Sequence, residues 1–588
     1  MDSWVHPALV YFIGSLFLPF LKGKARQGLL LLIPIISVLL VANMQEGVYG
    51  QLQFLNLELT FGRVDKLSLV FAWVFTIMAV LGAIYGLHVK EDGHQLAGNF
   101  YVGSSLGAIF AGDYLTLFLF WEIMAFSSVF LIWYRRNKAA TDAGFRYLLV
   151  HIFGGLCLFT GIMLHYFDSG SLQFVAFLPA NAGIAEYLIL AGFALNAAVL
   201  PLHSWLPDAY PEATVEGAVF LCAFTTKTAV YVLARGFSGF EILAIMGTAM
   251  TIFGVIYAVI ENDIRRVLAY HIISQVGYMV AGIGIGTSLA INGATAHAFA
   301  HILYKALLFM GGGAILYVMG TAKLSKLGGL WRYMPLTMIF YVVGAVSISG
   351  FPLFSGFVSK SMIVASAHEE GRLYLMALMN LAAIGTFLSV GLKVTYFAFF
   401  GEESEFVAKG APKEPPLNML WAMGLTSALC FIIGVYPDAL YILLPFPVEY
   451  RPYNLHHLSE AFQVLTFTGL VFWLLIKKLK PEEKINLDVD YFYRQGAKYF
   501  VRFDEGVIAP VDNWWGNVWK TIGLRLLFVK AALAARFDQQ AIDGVVDGSA
   551  DVVLKVSSGV RRLQTGQIQT YVGLSVLFFF LVVFFILM

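Results

Sequence analysis

The chain has few charged residues for its length and almost no excess of either sign. Charged residues make up 13% of its 588 residues and hydrophobic residues 59%, whereas soluble domains have about 25% charged and about 45–50% apolar residues. This composition argues against a soluble domain and predicts a polytopic membrane protein. The net charge of +1 gives no indication of a nucleic-acid partner.

Cysteines are also scarce. The three present, Cys157, Cys222 and Cys430, each lie in an apolar segment and lack CxxC spacing, so we predict no metal site, no cluster and no disulfide framework. A dinucleotide-binding fingerprint is missing as well. We therefore expect no cofactor in this chain.

Apolar segments of membrane-spanning length recur along the whole chain. The alternating stretch Gln51–Phe61 instead predicts a surface hairpin strand. The first apolar segment follows an uncharged start, so we interpret it as a retained helix rather than a cleaved signal. A span needs about 20 apolar residues, which predicts an all-α membrane protein with about sixteen spans, near Trp4–Leu21, Gly28–Asn43, Lys66–His88, Ala97–Ala111, Tyr114–Tyr134, Gly144–His165, Ile184–Leu200, Thr214–Arg235, Ile242–Ile260, Val267–Gly286, Ile291–Gly320, Pro335–Ser349, Arg372–Phe400, Leu417–Tyr436, Leu458–Ile476 and Tyr571–Met588.

Basic residues concentrate in alternate loops. Cytoplasmic loops carry an excess of Lys and Arg, so the rich set is predicted to face the cytoplasm and the N-terminus to face outward, in a bacterial or archaeal cytoplasmic membrane. The poor set holds Arg63, Lys66, Arg235, Arg372 and Arg451. The rich set holds Lys22, Lys24, Arg26, Lys90, Arg135, Arg136, Lys138, Arg265, Arg266, Lys323, Lys326, Arg332, Lys409, Lys413, Lys477, Lys478, Lys480 and Lys484.

Three titratable residues share one helical face inside an apolar segment. His297, His301 and Lys305 are spaced i, i+4, i+8, which places them along one stripe of a helix. Titratable groups at membrane depth are expensive and usually face a bundle interior or a wet cavity. The stripe predicts stepping stones for protons, and the structural alternative is a set of satisfied helix–helix hydrogen bonds.

Two predicted helices are interrupted at related places. Pro201 and Pro207 interrupt one, and Gly350 and Pro352 the other. Proline removes an amide donor, and the carbonyls freed at membrane depth must be buried in protein or line a wet cavity. Such pairs of breaks indicate two inverted five-helix repeats around a pathway at mid-membrane. The predicted organisation begins with N-terminal helices and a hairpin (1–111), followed by the first repeat (112–260) and the second repeat (261–402). Additional helices (403–480), a lateral amphipathic segment (481–566) and an anchor helix (567–588) complete it.

Other charged groups also fall inside predicted spans. Glu122 and Lys227 are surrounded by apolar residues, and we assign them a role in ion movement rather than in structure. His271 lies four residues before Gln275 on one face. Further candidates are Lys360, which follows the second break, and two residues for which snorkelling is an equal alternative, namely Lys393 and His151.

The tail is too polar to span the membrane and too apolar to be free. Residues 510–564 combine apolar stripes with charges, and at 1.5 Å per residue they would extend about 80 Å as a helix. We expect this segment to lie along the membrane surface, with Gly544 and Gly548 as possible interruptions and the uncharged segment Tyr571–Met588 as an anchor. A strap across neighbouring subunits is one interpretation, and a folded cytoplasmic segment is the alternative.

From about Gly112 to Glu402 these motifs together resemble the antiporter-like subunits of respiratory complex I, Mrp-type cation/proton antiporters and membrane-bound hydrogenases. The resemblance is carried by GDYLTLFLFWE, LPLHSWLPDAYPEA, ENDIRRVLAYHIISQVGYM, AHAFAHILYKALLF and GFPLFSGFVSK. In the tail, FDQQAIDGVVDG and RRLQTGQIQTYV resemble the long lateral helix and final anchor of the distal complex I subunit. The D-type subunit of Mrp antiporters is the other close likeness.

The resemblance implies a polar axis along the membrane midplane. On that pattern Glu122 is a modulating carboxylate, Lys227 a carrier of the first repeat and Lys360 the terminal carrier of the second, with His297, His301 and Lys305 as the central connection. One departure concerns a lysine that the family usually has before the first break, where this chain has Asn196. Because an amide cannot titrate, either Lys227 partners Glu122, or His203 substitutes, or the first half-channel is altered.

Several functions fit these observations. The first is a proton- or sodium-translocating subunit of a respiratory-type complex, with other membrane subunits and a peripheral redox module as partners and no redox chemistry of its own. The others are a gradient-driven Mrp-type antiporter subunit, an ion-coupled partner of an inorganic-carbon uptake protein, and a scaffold that has lost transport. The retained buried lysines argue against the scaffold, since unused buried charge is costly.

Overall fold

The computed structural model describes residues 4–484 and 486–588. It divides into two compact units, Met1–Asp490 and Tyr491–Met588. Both are built almost wholly from helices, as expected for a chain whose backbone groups must be satisfied within each segment at membrane depth.

Twelve helices of the described chain are long and apolar enough to cross a membrane. Three shorter apolar helices accompany them, at Pro7–Phe20, Ile184–Asn196 and Pro335–Ser349. The predicted polytopic helical architecture is confirmed, whereas the count of sixteen spans stays a prediction. The twelve are Gly23–Ala42, Lys66–Tyr85, Tyr114–Trp133, Lys138–Ser169, Val215–Gly236, Glu241–Ile260, Ile264–Ile285, Ser288–Met319, Leu373–Phe400, Leu417–Val435, Leu455–Leu475 and Ile568–Leu587.

The hairpin predicted at Gln51–Phe61 is confirmed and is slightly longer than predicted. Gly47–Phe54 and Leu57–Val64 pair antiparallel, with Gly47 opposite Val64. Asp65 follows directly and caps the helix Lys66–Tyr85 by accepting a hydrogen bond from the Ser68 amide at 2.9 Å. The hairpin therefore ends where the first long buried helix begins.

Both predicted breaks are present. The first helix ends at Asn196 and helical backbone resumes at Trp205–Ala209, with Ala198 in the left-handed region at φ +56°. The second ends at Ser349 and resumes at Ser355–Glu369, with Gly350 at φ +75°. The inverted relation between the two halves that contain these breaks stays a prediction.

A third interruption falls inside a segment that we predicted as one span. The span counted above as Val215–Gly236 consists of two helices, Val215–Leu221 and Thr225–Gly236, separated by three residues. Neither proline nor glycine occurs between them, so the sequence carries no breaker signal there. The interruption frees backbone carbonyl groups close to Lys227.

Glycines let the helices Glu241–Ile260 and Ile264–Ile285 pack with their backbones in contact. A Cβ on Gly247 would meet the Ala281 amide, and a Cβ on Gly277 would lie 2.6 Å from the Gly247 carbonyl oxygen. Small residues permit such close approach between membrane helices. Glu241–Ile260 and Ile264–Ile285 therefore form a tightly joined pair beside the central helix Ser288–Met319.

The second unit consists of a long helical segment and an apolar helix. Helical backbone runs from Asp490 to Arg561, including several π-type turns. At 1.5 Å per residue this is on the order of 100 Å. The interruption expected at Gly544 and Gly548 is not observed, because Gly544 keeps right-handed helical angles, φ −59° and ψ −37°. The apolar helix Ile568–Leu587 follows.

One further long helix, Asp92–Phe110, is largely buried and lies beside Tyr114–Trp133. The remaining elements are short and connect the helices. They are Leu18–Phe20, Pro179–Asn181, Tyr210–Glu212, Leu324–Lys326, Leu330–Arg332, Glu405–Gly410 and Asp438–Tyr441.

Candidate functional site

The central helix Ser288–Met319 carries the predicted stripe in the middle of the first unit. His297, His301 and Lys305 are all fully buried, with 0% exposure. The imidazole centroids of the two histidines lie 6.3 Å apart. All three residues therefore sit in the protein interior, and none snorkels toward a membrane surface.

His297 is joined by hydrogen bonds to two neighbouring helices and to Tyr304 of its own helix. Its Nδ1 lies 3.0 Å from the Ser359 hydroxyl, and its Nε2 lies 3.3 Å from the Gln275 side-chain oxygen. The Tyr304 hydroxyl lies 3.3 Å from the same Nε2. Gln275 in turn donates to the Thr386 hydroxyl at 3.4 Å. This imidazole is the most connected group of the site.

His271 forms a separate contact one turn before Gln275. Its Nε2 lies 2.6 Å from the Ser389 hydroxyl, which belongs to a π-helical turn, Phe387–Val394. π-Type turns are frequent at functional positions because they displace a side chain from regular helical register. The turn brings the Ser389 hydroxyl against His271, so the predicted face of His271 and Gln275 is a polar one.

His301 and Lys305 contrast with His297. Neither nitrogen of His301 has a hydrogen-bond partner among the described residues, and neither has Lys305 Nζ. His301 is also within electrostatic range of Lys227, Lys305 and Lys360. A buried polar group without a partner is costly. The three atoms are therefore the unsatisfied polar atoms of this buried stripe.

Lys227 and Lys360 each bind a carbonyl oxygen that a helix break releases. Lys227 Nζ donates to the Cys222 carbonyl at 2.6 Å and to the Thr226 hydroxyl at 3.0 Å. Lys360 Nζ donates to the Ile348 carbonyl at 3.0 Å and lies 5.1 Å from the centre of the Tyr278 ring. Carbonyl ends of helices carry partial negative charge and favour cations. Both lysines are thus held by a carbonyl oxygen at the end of an interrupted helix.

A cavity of about 810 Å³ reaches Lys360. It extends from the second break, at Ser349 and Gly350, to the loop around Arg451. Arg451 and Arg372 belong to the loops with few basic residues. Its polar lining includes Lys360, His368, Glu369, Asn380, Glu449, Arg451, His456, His457 and Glu460.

Glu122 is partly buried and approaches the neighbouring helix Lys138–Ser169. Its Oε1 is buried and has no hydrogen-bond partner among the described residues. Lys227 Nζ is already engaged with Cys222 and Thr226, and no ion pair joins it to Glu122 within the described chain. The structure therefore does not bring Glu122 and Lys227 together as a salt bridge.

Gly155 provides the room that Glu122 Oε1 occupies, since a Cβ at this position would collide with that oxygen. We expect Gly155→Ala to leave the complex assembled, because the carboxyl is the flexible end of its side chain, and to reduce ion transport about tenfold by displacing it, an effect of about 1.4 kcal/mol on the barrier. Gly28→Ala is the control, since a Cβ there meets nothing within 4 Å. Equal transport by both variants would contradict the role in ion movement that the sequence predicts for Glu122.

Four further candidates have varied surroundings. Asn196 is fully buried and neither polar atom of its amide has a partner among the described residues. His151 packs against the rings of Tyr147 and Trp205. His203 forms an ion pair, described below, and Lys393 donates to the Val259 and Glu261 carbonyls at 2.5 and 2.9 Å. Within the described chain, hydrogen bonds do not connect these four to His297.

The sequence did not reveal several uncharged groups that complete the site. Ser359 and Tyr304 directly precede Lys360 and Lys305, and adjacency to a buried lysine is the signal that could have identified them. Tyr278, Thr386 and Ser389 carry no such signal, because their contacts depend on helix packing. Among the described residues, no group of three or more His, Cys, Asp or Glu side chains could hold a metal ion.

Comparison with known proteins places these features in a family. Residues 111–388 match the family described as NADH:quinone oxidoreductase/Mrp antiporter, TM. A Na(+)/H(+) antiporter subunit of Alkalihalophilus pseudofirmus, the one designated D, is 30% identical over 436 residues, which cover 68% of this chain and 87% of that protein. The chain belongs to this family of antiporter-like membrane subunits.

The likeness extends beyond the matched core. The chloroplastic NAD(P)H-quinone oxidoreductase subunit 5 of Chara vulgaris is 26% identical over 587 residues, 90% of this chain and 86% of that protein. A chain in the structure of the Mrp complex from Dietzia sp. DQ12-45-1b has the same fold, with a TM-score of 0.67 and 22% identity over 80% of this chain and 100% of that one. The resemblance predicted for Gly112–Glu402 is thus confirmed.

Proposed function

We propose that this antiporter-like subunit moves protons along the buried groups of its first unit. The observation that carries the proposal is the fully buried stripe of His297, His301 and Lys305, in which His301 and Lys305 lack hydrogen-bond partners among the described residues. Imidazoles and amines exchange protons, whereas hard cations such as Na⁺ prefer oxygen ligands. Sodium is the alternative cargo.

Electrostatic coupling gives these groups a way to act on one another. Two unit charges about 6 Å apart interact by roughly 3 kcal/mol at an effective dielectric of 20. The ring centroids of His297 and His301 are 6.3 Å apart. A proton arriving on one imidazole therefore repels a proton from the next. Glu122, Lys227, His271 and Lys360 would complete the axis on this proposal.

The breaks and the cavity suggest where ions leave the axis. The cavity reaches Lys360 from the loop that contains Arg451. This loop and the loop that contains Arg372 are poor in basic residues. Under the positive-inside rule these loops face outward, as would the N-terminus in a bacterial or archaeal cytoplasmic membrane. Lys360 is then the last group before the outer aqueous phase.

Two kinds of host complex remain as candidates. Similarity to a quinone oxidoreductase subunit over 90% of the chain supports a respiratory-type complex, with other membrane subunits and a peripheral redox module as partners. The 30% identity to the Na(+)/H(+) antiporter subunit of Alkalihalophilus pseudofirmus supports a gradient-driven complex. In both, this chain itself would carry out no redox chemistry.

The test is ion movement by the intact complex in proteoliposomes. With a pH-sensitive dye inside the vesicles, we expect proton flux on addition of the electron donor of a co-purifying redox module, or on imposing a sodium gradient. Vesicles with a protonophore serve as the control. Absence of proton and sodium flux under both driving forces would contradict the proposed function.

A further inference from the structure

A buried carboxylate from the end of the first unit lies against the first break. Asp488 has a side chain only 4% exposed, and its Oδ1 lies 3.1 Å from Nε2 of His203, whose side chain is fully buried. The Tyr270 hydroxyl donates to Asp488 Oδ2 at 2.7 Å. One carboxylate therefore joins His203 of the first repeat to the residue adjacent to His271 in the second.

The backbone around Asp488 is held as well. The Tyr257 hydroxyl donates to the Leu487 carbonyl at 2.9 Å, and the Val489 amide donates to Asp488 Oδ1 at 2.6 Å. Tyr257 and Tyr270 stack with ring centroids 5.1 Å apart. These contacts fix the carboxylate in place, so its position beside His203 does not depend on a flexible loop.

The chemistry of the pair sets the state of the imidazole. An ionised carboxylate only accepts hydrogen bonds, so His203 Nε2 must carry the proton that faces Asp488. Burial raises the pKa of Asp488, but the hydrogen bond and charge of His203, with the Tyr270 hydroxyl and the Val489 amide, together hold that pKa below its usual value. The carboxylate is therefore ionised at neutral pH. Its contribution to stability is present above the usual aspartate pKa and is lost as pH falls through the lowered one.

The other nitrogen of the ring is available for a proton. His203 Nδ1 is buried and has no hydrogen-bond partner among the described residues. The ring centroids of His203 and Phe253 lie 4.5 Å apart in an edge-to-face arrangement. A negative charge at Nε2 stabilises the doubly protonated ring, as an aspartate does for a catalytic histidine. His203 thus has a fixed tautomer, a constant negative partner and a free site at Nδ1.

We propose that His203 is a proton-transfer group of the first repeat and that Asp488 is its positioning residue, which orients the imidazole and stabilises its protonated form. The proposal rests on the proposed function above and adds a carboxylate to it. It gives the first repeat a titratable group beside the break, where Asn196 cannot titrate.

Other charged and titratable groups near the pair are already engaged with one another. Arg146 Nε lies 2.7 Å from Asp208 Oδ2, and Arg266 Nε lies 3.4 Å from Glu261 Oε1. Asp490 is close enough to act electrostatically on Tyr257 and Arg146. Arg266 and Glu261 act electrostatically on Tyr270, and Asp490 on Tyr257, the two tyrosines that hold the Asp488 segment. Asp488 remains the carboxylate in direct contact with His203.

The test is the pH profile of ion transport by the assembled complex with Asp488→Asn. Asparagine keeps the shape and one accepting oxygen but removes the charge. The pH at which transport is half-maximal on the side of the profile where His203 gains its proton should therefore fall by about one unit, a tenfold change in proton occupancy. We call this side the proton-loading limb. Asp488→Glu should restore the wild-type midpoint. His203→Gln should abolish the limb and cancel any further effect of Asp488→Asn.

Glu483→Gln is the matched control. Glu483 lies in the same segment and pairs with Lys323 at 3.2 Å, with both side chains about half exposed, so its loss should leave the profile unchanged. If Asp488→Asn lowers the amount of complex but leaves the midpoint unshifted, Asp488 has only a structural role and the proposal is overturned.

A readout independent of transport separates this proposal from the proposed function. The imidazole C2 hydrogen exchanges with deuterium at a rate that depends on ring protonation, and mass spectrometry of the intact complex follows it for His203 alone. A downward shift of the His203 titration midpoint in Asp488→Asn supports the pair even if no ion flux is found. An unchanged midpoint overturns it even if transport is normal.

Discussion

Replacing Lys305 by alanine is expected to lower ion movement by roughly a hundredfold while the complex still assembles. Lys305 Nζ is fully buried and has no partner among the described residues, so its removal breaks no hydrogen bond and relieves the cost of a buried charge. Loss of one carrier should raise the barrier by about 3 kcal/mol, which lowers transport by roughly a hundredfold. Proton flux into dye-loaded proteoliposomes measures the effect.

Two further variants make this result interpretable. Lys305→Met fills nearly the same volume without a charge, so equal loss in both variants assigns the effect to the charge rather than to a cavity. Lys413→Ala removes an exposed lysine and should behave as wild type. Undiminished proton flux in Lys305→Ala would remove this residue from the pathway.

Glu122→Gln is expected to have the second largest effect. Glutamine keeps the size of the side chain, but it cannot lose or gain a proton. Because Glu122 Oε1 is buried without a hydrogen-bond partner in the described chain, little structure depends on it, and we expect normal assembly with transport reduced by roughly ten- to a hundredfold, or about 1.4–2.7 kcal/mol. The initial rate of proton flux at saturating driving force is the measurement.

The control for Glu122 is a carboxylate of the same kind at the surface. Glu405 is 90% exposed in its side chain and pairs with Lys409 four residues on, and such exposed pairs contribute little. Glu405→Gln should therefore transport at the wild-type rate. If Glu122→Gln did so too, the carboxylate would play no part in ion movement and the resemblance would mislead at this position.

Local sequence patterns were enough to predict much of this architecture. His297, His301 and Lys305 share a face of any regular helix because they are spaced i, i+4, i+8. Pro201 and Pro352 indicate helix breaks because proline lacks an amide donor. The interruption before Lys227 was missed because neither proline nor glycine marks it, and close packing of buried helices overrides local preference there.

Distant contacts could not be predicted in the same way. Asp488 lies 285 residues from His203 along the chain, and a carboxylate in a loop after a basic linker resembles any solvated charge. The sequence offered His203 as a substitute for the missing lysine but gave no partner for it. Gly544 and Gly548 failed as helix breakers because glycine lowers helix stability by only about 1 kcal/mol per residue.

The glycine-mediated contact between Glu241–Ile260 and Ile264–Ile285 has a mechanical consequence. Two backbones that touch along several turns resist sliding and bending, so this pair responds to load as one stiff plate. Compliance is then left to the non-helical segments 197–204 and 350–354. We expect bending to concentrate there and in the third interruption, 222–224, so that it would displace His203, Lys227 and Lys360 relative to the stiff helix pair.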